Sequence, residues 1–388
     1  MLQKLYHFFL NKKILLLGFG LEGQSTLGLL NKLNCAESVT VWEKYHHTTD
    51  LPPEYDIIIK SPGIPLFKRA GESDPRVTGQ ADLFLRFCEN CVVGITGTKG
   101  KSTTSALVHH ILTECGITSK LIGNIGVPPF DIAEDSGDDV IVMELSCHQL
   151  EYVQASPKIA VLLNIYEEHL DHYIDFDHYK YAKENIYRFQ KSGDVLIRGE
   201  EVNSGFVNAD KAKLRGTHNL HNIAVAVKAA QSAVGTLDEN AAVQAAYRFG
   251  GLPHRLELFA ELNGVKWVND SISTIPAAVI AAAEAFPETD TLIIGGMDRG
   301  IDYSTLTEFL RNRPELNLIA LPDSGFKVIE GLPNAYKARD LTDAVAHAKK
   351  VTKRCCVLSP AAASYGFYKN FEERGNHFKA LVTGVFIE

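Results

Sequence analysis

Lys101 and Ser102 stand directly behind the run Gly97-Thr98-Lys99-Gly100, and this order of residue types suits polyphosphate chemistry. Two glycines let the backbone approach a phosphate with its N–H groups exposed. Lys101 can neutralise the β/γ-phosphates, and the Ser102 hydroxyl can hold Mg²⁺. Thr98, Lys99 and Thr103 complete the candidate ATP cradle. Further along, Glu144 ends an apolar run, and Glu167, Glu168, His169, Asp171 and His172 cluster after the next one. Carboxylates and imidazoles at strand ends beside a phosphate cradle can hold Mg²⁺, at one position or two. Lys183 falls on or beside the apolar face of a helix predicted from Phe176 to Phe189. A surface lysine that snorkels accounts for it. So does a buried one, whose neutral amine can add carbon dioxide to become a carbamate ligand for Mg²⁺. Asn219 and Asn222 are one turn apart at the start of an alanine-rich helix, where they can hydrogen-bond a purine or ribose or cap the helix.

The elements that must position these groups alternate between strand and helix. An apolar strand from Cys91 to Ile95 precedes the cradle and a helix from Ser102 to Cys115 follows it; Val140 to Leu145 and Ile159 to Ile165 read as strands. Ahead of them, the strand Lys13 to Leu17 runs into Gly18-Phe19-Gly20-Leu21-Glu22-Gly23, and the strand Val39 to Trp42 ends at Glu43. That is the dinucleotide-binding fingerprint, which alone would suggest an NAD enzyme. With a separate phosphate cradle in the chain, Gly18, Gly20, Leu21, Glu22 and Glu43 become candidates for a nucleotide-linked substrate. Strand Tyr55 to Lys60 leads into Ser61-Pro62-Gly63 at the ligand-bearing edge of such a sheet. After Gly251 the chain offers a hairpin around Asn263-Gly264 and strand ends at Asn269-Asp270-Ser271, Gly295 to Arg299 and Ser359 to Ser364. The pattern predicts an α/β protein of three domains: Rossmann-like over 1–89, P-loop ATPase with a mostly parallel sheet over 90–250, and Rossmann-like over 251–388.

Composition narrows the partners. The 388 residues are 45% hydrophobic and 22% charged with a net charge of -8, which argues against nucleic acid as the main partner. No apolar run is long enough to span a bilayer, so a cytoplasmic monomer without a membrane partner is expected. The opening MLQKLYHFFLNKK reads as a short surface helix. Seven cysteines do not suggest a disulfide framework, and the Cys88/Cys91 pair lacks the second pair that a zinc site would need.

GITGTKGKST, ELSCHQLE, EEHLDHY, YAKENIY, GTHNLHN, GLPHRLE, NDS, IIGGMDRG and LSPAAASYGFYKNFEERG occur in an order that resembles the Mur ligases, the ATP-dependent amide ligases of peptidoglycan synthesis, along nearly the whole chain. The resemblance implies an N-terminal domain for the UDP-sugar, a central ATPase, and a C-terminal domain receiving ATP and the amino acid. It implies ATP contacts at Lys101, Ser102, Asn219, Asn222, Arg255 and Asp270, Mg²⁺ ligands at Ser102, Glu144 and His169, and a carbamylated Lys183. Asn124, Ser146 and Gln149 would face the muramoyl substrate, and Arg299, Thr274, Ser364, Tyr365 and Phe371 the glutamate. The implied reaction adds D-glutamate to UDP-N-acetylmuramoyl-L-alanine through an acyl phosphate, with Lys101, Lys183 and His169 as the catalytic set and closure of the third domain excluding water.

Ile95 stands where a strict P-loop has glycine, and in that GITGTKGKST resembles the Mur ligase variant of the loop. Other residues depart from the family pattern: Ile272 and Arg299 replace lysines, and Cys147-His148 replace Ser-Phe. The segment between Phe189 and Gly216 is short. Ile272 and Arg299 keep L-glutamate open as the acceptor. A non-catalytic nucleotide-binding regulator is the more distant reading, and folylpolyglutamate synthase fits less well because a ligand-bearing domain precedes the P-loop.

Overall fold

The computed structural model describes residues 1–43, 51–66, 74–134, 137–168, 172–333 and 335–385. Three α/β sheets follow one another along the chain. The first contains β1 (Lys13–Leu17), β2 (Ser38–Trp42), β3 (Ile57–Lys60) and β4 (Val77–Thr78), all parallel, in the order β2-β1-β3-β4. The second contains β5 (Val92–Thr96), β6 (Ser119–Gly123), β7 (Val140–Glu144), β8 (Ile159–Leu162) and β9 (Val195–Arg198), again parallel, in the order β6-β7-β5-β8-β9. β5, which leads into the phosphate cradle, is central. Parallel strands buried on both faces need continuous apolar runs, and KILLL of β1 shows why. Ile14 and Leu16 enter one core with Leu5, Phe9 and Ile59, while Leu15 and Leu17 enter another with Ile58 and Val77.

The first two sheets form one compact unit, Met1–Ala212 with Thr217–Phe249. The helix Gln80–Phe87 joins their cores, because Leu83 packs under the first sheet whereas Ala81, Phe84 and Leu85 pack under the second. The opening helix, Leu2–Phe9, is the short surface helix expected, with Gln3, Lys4, Tyr6 and His7 exposed. Leu5 and Phe9 are fully buried, so the apolar positions of MLQKLYHFF seal the first core.

The second unit, Lys213–Gly216 with Gly250–Glu388, is built on the third sheet. It contains β10 (Glu257–Leu262), β11 (Val265–Asn269), β12 (Thr291–Gly296), β13 (Asn317–Asp323), β14 (Ala335–Lys337) and β15 (Cys355–Leu358), in the order β10-β11-β15-β12-β13-β14. Only the β10–β11 pair is antiparallel. Asn263 and Gly264 both adopt positive φ, 52° and 77°, as a two-residue hairpin turn of this hand requires.

Strand ends fall short of the sequence expectation at Leu145 and at Leu163 to Ile165, and β3 begins at Ile57 rather than Tyr55. Leu145, Leu163 and Ile165 are apolar and continue the run, but Leu163 to Ile165 turn away to buttress the phosphate loop.

Candidate active site

The helix Lys101–Glu114 starts where the cradle ends. Gly100 takes φ 86° at its N-cap, a left-handed conformation, and a Cβ there would stand 2.8 Å from Asn222 Oδ1. Asn222 in turn donates from Nδ2 to Asn219 Oδ1 at 3.0 Å, so the two asparagines meet one turn apart in the helix Thr217–Ala233, beneath the loop. Asn164, just past β8, clamps the loop from the other side. Its carbonyl accepts from Thr98 N at 2.9 Å, its Oδ1 accepts from Lys99 N at 2.8 Å, and its Nδ2 donates to Lys99 O at 3.1 Å. Sequence reasoning passed over this residue, which lies 65 residues from Lys99 and carries no local signal of the contact.

Lys101 Nζ donates to Thr98 O at 3.1 Å, and burial holds its pKa below the usual lysine value. Lys183, in the helix Phe176–Arg188, is 1% exposed and is therefore not the snorkelling surface lysine that the sequence also allowed. Its Nζ donates to Gly97 O at 2.9 Å and lies 4.9 Å from the Tyr179 ring centre. Burial lowers its pKa to about 8. The Tyr179 hydroxyl also hydrogen-bonds Thr98 Oγ1 at 2.9 Å, so one helix supports the cradle twice.

Glu144 ends β7 opposite Ile95 and is fully buried. Its Oε1 accepts from Asn124 Nδ2 at 2.7 Å, while Oε2 has no hydrogen-bond partner among the described residues. A buried carboxylate oxygen left over beside a phosphate loop suits a hard cation such as Mg²⁺. His169 lies outside the described residues. The acidic and imidazole cluster around it is divided: Glu168 Oε1 accepts from Lys99 Nζ at 2.6 Å, and His172 turns to Glu151.

A cleft of about 330 Å³ brings Pro62 and Gly63 of the first sheet's edge together with Lys101, Asn124, Ser146 and Lys183 of the second. That volume is at the lower end for a small-molecule site. Ser146 caps a short helix, Cys147–Leu150, with a capping box: its Oγ accepts from Gln149 N at 3.2 Å, and Gln149 Oε1 accepts from Ser146 N at 2.8 Å. Gln149 Nε2 then donates to Glu22 Oε1 at 2.6 Å, joining the two sheets. Burial pushes the Glu22 carboxyl above its usual range.

A second bridge was not foreseen. Lys60 Nζ pairs with Glu151 Oε2 at 2.9 Å and donates to Pro62 O at 3.0 Å, which fixes the Ser61-Pro62-Gly63 turn. Burial lowers the Lys60 pKa. Gly18, at φ 87°, crosses so close to Ser61 that a Cβ would sit 2.7 Å from its Oγ. Gly20 caps the helix Leu21–Leu33, and Leu21 and Glu43 are exposed; none of these lines the cleft.

The second unit assembles its own loops. Asp270, just after β11, is buried, and its carboxylate accepts from Leu256 N at 3.1 Å, from Ser359 Oγ at 2.8 Å and from Ser273 Oγ. Burial raises its pKa to about 6. On either side of Arg255, His254 and Leu256 take φ of 63° and 48°. Such backbone is rare for these residues and marks a loop held for a purpose. Arg255 Nε is buried with no hydrogen-bond partner among the described residues.

Arg374, 2% exposed, donates to Ser271 Oγ at 3.0 Å, Ser271 O at 2.7 Å, Ala362 O at 3.0 Å and Ala363 O at 3.2 Å. It therefore ties Asn269-Asp270-Ser271 to the loop before Ser364. Ser271 Oγ donates to Phe371 O at 2.9 Å, and Arg299 Nη2 to Thr274 O at 3.4 Å. Ser364 is buried and Tyr365 exposed.

Three parallel or mostly parallel sheets, a phosphate loop with a buried carboxylate beside it, and a further ligand turn define an α/β nucleotide-dependent enzyme. The Mur ligase middle domain family matches residues 95–209. A UDP-N-acetylmuramoylalanine–D-glutamate ligase of Clostridium kluyveri is 33% identical, over 86% of this chain and 83% of the relative. One of Geobacter sp. strain M21 is 31% identical over 96% and 97%. Among solved structures, the UDP-N-acetylmuramate-alanine ligase of Thermotoga maritima has a similar fold, with TM-score 0.57 and 16% identity over 95% of this chain and 98% of that one. The chain belongs to the Mur ligase family.

Proposed function

We propose that this chain is an ATP-dependent ligase of peptidoglycan precursor synthesis, joining the amine of D-glutamate to the carboxylate of UDP-N-acetylmuramoyl-L-alanine. The observation that carries the reading is the one cleft lined by Pro62, Gly63, Asn124 and Ser146 together with Lys101 and Lys183. Relatives named for this reaction at 33% and 31% identity support it. A carboxylate is a poor acceptor for an amine. Its oxygen therefore attacks the γ-phosphorus of ATP, the bond to the bridging oxygen breaks, and ADP leaves an acyl phosphate behind. The glutamate amine attacks the acyl carbon, loses a proton, and phosphate departs.

In this reading Ser146 and Asn124 hold the muramoyl end, while Lys101 and the N–H groups of the cradle neutralise and orient the phosphates. Ser102 and Glu144 would hold Mg²⁺, which would supply positive charge against the phosphoryl oxygens. Lys183, with a pKa of about 8, keeps a neutral fraction able to add carbon dioxide, so a Lys183 carbamate belongs to the proposed Mg²⁺ ligands. His169 is the proposed ligand of a second cation. Asn219, Asn222, Arg255 and Asp270 remain the proposed ATP contacts. Arg299, Thr274, Ser364, Tyr365 and Phe371 are the proposed glutamate contacts, with Arg299 gripping a carboxylate bidentately where a lysine would offer a point charge. No described helix is long and apolar enough to cross a membrane. Both ATP and a UDP-linked precursor are cytoplasmic reactants, which is where we place the reaction.

The test is phosphate release with ATP, Mg²⁺ and UDP-N-acetylmuramoyl-L-alanine, run with D-glutamate, L-glutamate or no amino acid. Release that depends on D-glutamate is expected. Release with L-glutamate alone would keep the chemistry and assign Ile272 and Arg299 to altered stereochemical selection.

A further inference from the structure

His148, Glu151 and His172 have no role in the ligase reading, although His148 lines the same cleft. One ligand atom from each lies within 4.8 Å of the other two. His172 Nε2 and Glu151 Oε1 are 2.6 Å apart, and the His148 and His172 rings meet edge to face with centroids 4.0 Å apart. Lys60 occupies only the other carboxylate oxygen, Oε2, at 2.9 Å. We propose that these three side chains form a site for a divalent transition ion of the zinc type, separate from the Mg²⁺ position at Glu144.

The donor set selects the ion. Two imidazoles and one carboxylate suit Zn²⁺, Co²⁺ or Ni²⁺, whereas Mg²⁺ asks for oxygen ligands in an octahedron. At zinc-ligand distances of about 2.0–2.2 Å, tetrahedral ligand atoms stand about 3.3 Å from one another. His172 and Glu151 must therefore part by less than about 1 Å, and the His148 ligand atom must close by at most about 1.5 Å. Both shifts lie within side-chain rotation. Burial helps as well: the side chains of Glu151 and His172 are 5% and 11% exposed, so few waters compete. Lys60, anchored on Pro62 O, would act as the outer partner that orients the ligating carboxylate. His148 lines the cleft, which gives the ion a way in. The inference does not rest on the ligase activity, and its test reads binding alone.

The experiment is calorimetric titration of the chelator-stripped full chain with Zn²⁺ and, separately, Mg²⁺. His148→Phe and His172→Arg are measured in parallel; the second keeps a hydrogen-bond donor for Glu151. Matching circular dichroism and unfolding midpoints in chelator establish that the variants are folded. The expected result is one tight Zn²⁺ per chain that Mg²⁺ at millimolar concentration does not displace. In each variant that binding weakens by more than about 100-fold, since loss of a direct ligand exceeds the loss seen for outer partners. Bound Co²⁺ should show a visible d–d spectrum in the parent chain that both variants lose. Equal Zn²⁺ binding in parent and variants would assign the ion to the cysteines or the Mg²⁺ ligands and overturn the proposal. Displacement by Mg²⁺ would overturn it too.

Discussion

The loops of the two units use burial in opposite ways. Around the phosphate cradle, buried charges keep spare valence: Glu144 Oε2 has no partner among the described residues, and Lys101 and Lys183 each show one hydrogen bond, to a backbone carbonyl. In the second unit Asp270 and Arg374 are saturated, since Asp270 accepts from Ser273, Ser359 and Leu256 while Arg374 donates to four acceptors; Arg255 Nε is the exception there, without a partner among the described residues. Spare valence belongs where a charged ligand must enter. Saturation belongs where loops must hold shape before anything arrives.

The largest effect should come from the saturated side. Arg374→Met leaves several buried carbonyls without donors, and urea unfolding should show the second unit destabilised by about 3–5 kcal/mol. A loss below about 1 kcal/mol would mean that the loops hold themselves. Lys101→Ala should do the reverse: turnover falls by about 10²–10³-fold, as for removal of a donor aimed at developing charge, while the unfolding midpoint hardly moves. Retained turnover would remove Lys101 from the chemistry.

The pH dependence of stability sharpens the contrast. Lys183 titrates at about 8 in the fold and near its ordinary value of 10.5 when unfolded, so between these the unfolded chain binds more protons. Stability contributed here rises with pH across that window, by at most about 3 kcal/mol, and Lys183→Met should flatten the rise. Asp270 titrates at about 6 in the fold against 3.8 ordinarily, so there the folded chain holds the extra proton. Stability falls as pH climbs from about 4 to 6, again by at most about 3 kcal/mol, and Asp270→Asn should remove that slope. Stability curves of the two variants between pH 4 and pH 10 check both signs.

The smallest effects test whether the units melt separately. Asp238 caps Glu239–Arg248 in the first unit and Asp340 caps Leu341–Val351 in the second. Replacing either by alanine should cost about 1 kcal/mol. Differential scanning calorimetry should show each change moving only its own unit's transition.

What could be read in the chain follows the range of the interactions. The cradle, its helix, the hairpin at Asn263-Gly264 and the order of strand ends are local patterns, and they appear as expected. The burial of Lys183 was undecidable, because a lysine beside an apolar face can either snorkel or enter; packing against Gly97 O, Tyr179 and the cradle decides it. Lys60 with Glu151 and Asn164 with Thr98 are separated by tens of residues and carry no periodic signal, so nothing short of the sheet topology could pair them. The Leu2–Phe9 helix was legible as a surface element, but only the first core reveals where Leu5 and Phe9 pack.

The bridges from Lys60 to Glu151 and from Glu22 to Gln149 have a bearing on recombination. Residues 1–89 look like a cassette, and grafting another enzyme's substrate domain in front of Val92 is an obvious chimera. Such a graft would strand the buried carboxylate of Glu151 without its lysine and leave Gln149 Nε2 facing a foreign side chain. A viable exchange must carry the segment Ser146 to Glu151 along with the domain, so the unit of inheritance here is discontinuous in the gene.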